Sequence, residues 1–97
     1  MSRSKRYLLV AYDIVDDNKR KMISDELKYY GLERFQYSVF MGYLEKTEVG
    51  GLASSLKKFN LDDEDKIYMF TICSRCFEQK IMIGNEPSTL EKEHLIL

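Results

Sequence analysis

Two short apolar runs constrain this chain more than anything else in it: YLLVAYD at residues 7–13 and KIYMFTIC at residues 66–73. In the first, Tyr7, Leu9 and Ala11 share one face of an extended chain, and Leu8, Val10 and Tyr12 share the other. A strand that is apolar on both faces must be covered on both. Each run therefore reads as a central strand, and the rest of the chain has to supply the cover.

The intervening segments supply half of it. Asp16 is suited to cap a helix, and Asp17 suits its first turn through the helix dipole. Met22, Ile23, Leu27 and Tyr30 then recur at helical spacing, and Gly31 is a natural stop. Over residues 33–44 the pattern turns to alternation, with Phe35, Tyr37 and Val39 opposed to Arg34, Gln36, Ser38 and Phe40. Gly42 predicts a bend near Met41, and hence two short strands. Thr47 is placed to cap a second helix carrying Val49, Leu52, Leu56 and Phe59, which Asn60 would end. Beyond the second apolar run, residues 79–84 and 94–97 read as further strands. The order β-α-β-β-α-β predicts an α+β, ferredoxin-like sandwich over residues 1–84, with two helices on one sheet face. Residues 85–97 are expected to form a tail with a strand for pairing to the second copy or to a partner. The other sheet face is left bare, and a second copy related by a two-fold axis is the simplest cover. A homodimer is expected.

Ninety-seven residues hold one core. The net charge of −1 conceals 11 Lys/Arg against 8 Asp/Glu through residue 60, then 4 against 8. That balance excludes a generically basic nucleic-acid binder. Phosphate contacts would fall to local groups, Arg3, Lys5 and Arg6 or Lys19, Arg20 and Lys21, unless these are solvated surface charges. No apolar run approaches the roughly 20 residues that span a bilayer. The basic-then-apolar start imitates a signal peptide, but it is short, ends in an acid and lacks a small-residue cleavage site. A cytoplasmic protein without membrane contact is expected. No Gly-rich phosphate loop, catalytic Ser/His/Asp set or RNP1-like strand is evident. Cys73 and Cys76 are half a zinc site, with His94 the only other soft ligand. A redox pair would open a helix after a strand, whereas the residues after Cys76 read as a strand, so a thiol pair in a turn is expected.

Asp13 stands where the first apolar run stops. In a monomer it could simply be a turn acid. In a stacked dimer two copies of Asp13 could face each other, and paired carboxylates need a proton or a cation between them. Mg²⁺ suits such a site, with waters completing its octahedron, and Mn²⁺ is an alternative. A metal-bound water could attack a phosphodiester, with Arg20 and Arg34 as candidate cations for the developing charge.

The segments LLVAYDIVDDNKR, YYGLERFQYSVFMGYL and TICSRCFEQKIMIG resemble the CRISPR-associated protein 2 family, roughly from Tyr7 to Gly84. The most specific part is Y-D-I-x-D-D-x-x-R followed by G-L-x-R-x-Q-Y-S-V-F. The resemblance implies a ferredoxin-like homodimer whose two Asp13 share a metal at the interface. It places Arg20, Arg34 and Phe40 on positions associated with nuclease activity, and Met22 where some members carry another arginine. It implies a metal-dependent endonuclease acting on single-stranded RNA or duplex DNA. The alternative it implies is a non-catalytic adaptor that bridges dimers of the CRISPR-associated integrase and holds spacer DNA during spacer acquisition, an antiviral defence. In the family the final strand commonly pairs with the other protomer's sheet. A ferredoxin-like regulatory domain shares the element order but gives no reason for YSVF or Asp13.

Overall fold

The computed structural model describes residues 5–84. Strand β1 (Lys5–Asp13) has the expected two faces: Leu8, Val10 and Tyr12 are buried on one, while Tyr7, Leu9, Ala11 and Asp13 lie on the other. Helix α1 (Asp17–Tyr29) starts at Asp16, whose carboxylate accepts from the Lys19 N–H at 2.9 Å. It closes at Gly31 (φ 93°). There the Gly31 N–H donates to the Lys28 carbonyl and the Leu32 N–H to that of Leu27, satisfying two terminal acceptors. Ile23 and Leu27 face the core, but Met22, expected on the same stripe, is half exposed.

Strands β2 (Glu33–Gln36) and β3 (Val39–Glu45) separate at Tyr37 and Ser38, earlier than Gly42 suggested. The Tyr12 N–H donates to the Ser38 carbonyl at 3.1 Å and ties this turn to β1. Gly42 serves close packing instead: a Cβ there would meet Leu32 Cγ at 3.0 Å and Leu32 Cα at 3.1 Å. Helix α2 (Lys46–Lys57) follows β3 directly, so that its cap stands two residues before the expected one at Thr47. Glu45 takes the cap position, and the Glu48 carboxylate accepts from its N–H at 2.8 Å. The helix ends at Lys57, short of Asn60.

Strand β4 (Lys66–Ile72) leads into a short helix, α3 (Ser74–Glu78). This corrects the expected turn at the cysteines. The strand expected at residues 79–84 does not form among the described residues. Phe77 explains the helix: it is buried, its ring stacked on Tyr7 at 3.9 Å, and one helical turn from Cys73 carries it there. The expected strand at 94–97 and the tail at 85–97 lie outside the described residues.

The sheet order is β2-β3-β1-β4, with every neighbouring pair antiparallel, as the ferredoxin-like reading requires. The main core lies between one sheet face and the two long helices, around Leu8, Val10, Ile23, Leu27, Phe40 and Leu52. On the other face Tyr7, Met41 and Phe77 make a small second cluster. Next to it, Tyr68 and Phe70 remain about half exposed, at 53% and 54%. Within the described chain this face stays largely uncovered.

Candidate functional site

Asp13 is the last residue of β1, on the face away from α1 and α2. Its side chain is exposed, and its carboxylate makes no hydrogen bond or ion pair among the described residues. The β1–β4 register sets Lys66 directly across from it. The turn behind Asp13 is held from two sides. Arg20 Nη1 donates to the Ile14 carbonyl at 2.8 Å and to the Val15 carbonyl at 3.3 Å, while Nη2 pairs with Asp17. Asp65, only 8% exposed, accepts from the Val15 N–H at 3.0 Å and the Asp62 N–H at 2.8 Å. The Val15 N–H, then the Asp62 N–H, hold the Asp65 carboxyl below its usual range, outweighing burial. Arg20 is held still more firmly protonated than usual: burial opposes its charge, but Tyr37 and Asp17 outweigh it.

A separate cleft of about 350 Å³ opens on the helix side, lined by Tyr12, Arg20, Lys21, Arg34 and Tyr37 among others. The Arg20 and Arg34 guanidinium groups lie 5.9 and 6.0 Å from the Tyr37 ring centre. Arg34 also lies 4.8 Å from the centre of the Phe40 ring. These distances suit cation–π attraction. Burial, against the opposing pull of Arg34, raises the Tyr12 phenol above its ordinary range. Phe40 is fully buried. It is the apolar floor beneath Arg34 and has no surface to offer a ligand.

Arg20, Arg34 and Phe40 are thus brought together around Tyr37, while Asp13 points from the opposite face of the sheet. Arg20 connects the two places, since it lines the cleft and also grips the turn after Asp13. Three residues escaped the sequence reading. Asp65 was one acid among four in LDDED. Lys66 was readable only through the strand register, and Tyr37 looked like part of a strand. Among the described residues no three His, Cys, Asp or Glu side chains gather to hold a metal. One chain offers Asp13 as a single carboxylate, and a pair of ligands needs a second copy.

The model of CRISPR associated protein Cas2 matches residues 6–80. The chain belongs to the Cas2 family. It is 41% identical to "CRISPR-associated endoribonuclease Cas2 1" of Archaeoglobus fulgidus, over 88% of this chain and 90% of that protein. It is 31% identical to a "CRISPR-associated endonuclease Cas1/endonuclease Cas2 fusion" of Thermoproteus tenax, over 84% of this chain and 31% of the fusion. The crystal structure of the hypothetical protein TT1823 from Thermus thermophilus superposes with a TM-score of 0.73 at 34% identity, covering 86% of this chain and 95% of that one. Cas2 membership and the α+β fold therefore agree. No helix among the described residues is long and apolar enough to cross a membrane.

Proposed function

We propose that this chain acts as a homodimeric, divalent-metal-dependent endonuclease in CRISPR spacer acquisition, with the two Asp13 carboxylates as the metal site. The observation that carries this reading is the place of Asp13: exposed and unpartnered, at the end of a largely uncovered apolar face. Stacking two copies through that face buries Tyr68 and Phe70 and brings one edge carboxylate from each copy into the same interface. Ile81 and Ile83 are 86% and 89% exposed, and pairing their segment with the other copy's sheet edge would cover them.

Mg²⁺ commonly keeps several waters and takes one or two carboxylates, which suits a pair of Asp13; Mn²⁺ fits the same oxygen donors. Bound there, such an ion supplies a water of lowered pKa and positive charge beside a phosphodiester. The chain's own residues do the rest. Lys66 offers a cation on the face of Asp13, and Arg20 and Asp65 fix the turn that aims it. Arg34, Lys21 and Tyr37 offer charge and an aromatic ring to a nucleic-acid strand on the helix side, RNA or duplex DNA.

The Thermoproteus tenax fusion favours a second reading, in which the dimer is an adaptor for a Cas1-type integrase and spacer DNA. Cleavage of single-stranded RNA and duplex DNA, with Mg²⁺ or Mn²⁺ against EDTA, separates the two. The nuclease reading expects cleavage that EDTA and Asp13→Ala each abolish while the dimer persists. Full cleavage by Asp13→Ala would contradict it, and no cleavage by an intact wild-type dimer would leave the adaptor.

A further inference from the structure

Cys73 and Cys76 lie at the junction of β4 and α3, both exposed and both free. Because Ser74–Glu78 is helical rather than extended, Cys73 sits at its N-cap and Cys76 three residues on in its first turn, close to the spacing of an i, i+3 pair. Side chains so spaced on a helix have Cβ atoms about 5–6 Å apart. A disulfide closes at Cβ separations of about 3.5–4.5 Å, so a small tightening of that turn joins them. Phe77, stacked on Tyr7, holds α3 in place while leaving both sulfurs in solvent.

The two thiols are not equivalent. Cys73 makes no close capping hydrogen bond, yet the Cys76 N–H and then the Cys76 thiol lie near its sulfur and draw its pKa down, with Arg75 assisting. The same contact with Cys73 pushes the Cys76 thiol up. An exposed thiol with enhanced thiolate character beside a protonated neighbour is the division of labour that thiol–disulfide exchange needs. Neither sulfur has a task in the phosphodiester chemistry above.

We propose that Cys73 and Cys76 form a thiol–disulfide exchange site for small disulfides of the glutathione class, Cys73 attacking and Cys76 resolving. The Cys73 thiolate attacks one sulfur of the disulfide, forming a mixed disulfide and releasing one thiolate. Cys76 loses its proton to solvent and attacks the Cys73 sulfur, closing the internal disulfide and releasing the second thiolate. Two electrons pass from the protein to the small disulfide, which leaves as two thiols.

The test is intact-mass analysis of the full chain after exposure to oxidised glutathione at pH 7, followed by an alkylation quench. Wild type should lose two hydrogens and carry no glutathione. Cys76→Ser should hold one glutathione on Cys73, and Cys73→Ser should react roughly tenfold more slowly than Cys76→Ser. Stable glutathione adducts on both cysteines of the wild type, without an internal disulfide, would overturn the proposal. Equal reaction rates for the two serine variants would overturn the assignment of roles. Asp13→Ala should exchange like wild type, so this result stands apart from the nuclease reading.

Discussion

Asp13 and Asp65 are the same side chain in opposite circumstances. Asp65 is enclosed by two backbone N–H donors, whereas Asp13 is exposed with no partner. Because the Asp65 pKa is depressed on folding, its contribution to stability is present above the unfolded value of about 3.9. It is lost as pH falls through the lower folded value. Acidification from pH 7 to below about 4 should therefore lower the urea midpoint of wild type more than that of Asp65→Asn. Equal losses would deny Asp65 this role. Two glycines make a similar contrast. Gly42→Ala forces a Cβ against Leu32 and should destabilise by about 1–3 kcal/mol. Gly50, with nothing within 4 Å of its added Cβ, should gain about 0.5–1 kcal/mol as alanine. Denaturant midpoints distinguish the two.

At the level of elements, the turn after β1 ties the fold to the proposed site. Arg20 reaches back from α1 to two carbonyls of that turn, so its loss loosens the approach to Asp13 without touching the sheet. Under the nuclease reading, Arg20→Ala should cut the cleavage rate roughly a hundredfold while the oligomeric state stays unchanged. An unaltered rate would remove Arg20 from the site. The central strands, the Asp16 cap and the Gly31 stop were readable because periodicity and capping chemistry are local signals. Other boundaries depend on neighbours. The β2–β3 break at Tyr37 and Ser38 contains no Gly or Pro, and the Ser38 carbonyl is occupied by the Tyr12 N–H, a long-range contact. Helix α3 was missed because one residue, Phe77, decides it by packing on Tyr7, far away in sequence. Of the candidate site, Asp13, Arg20 and Arg34 stand out in the sequence, but their division between two sheet faces follows from register and from where the β2–β3 turn falls.

At the scale of the whole molecule, the central question is what covers the face of Tyr68 and Phe70. A self-complementary patch on that face would close a two-fold dimer, because the same residues would meet on both copies. Tyr68→Glu with Phe70→Glu places charge at its centre and should yield monomer by sedimentation velocity while circular dichroism is retained. A dimer that persisted would put the interface elsewhere. The measurement that bears most directly on the account is the stoichiometry of Mn²⁺ bound to the purified protein, read by electron paramagnetic resonance, with Asp13→Ala alongside. A shared site predicts one ion per two chains, lost in Asp13→Ala. One ion per chain, or binding that survives the substitution, would contradict a metal held between two Asp13.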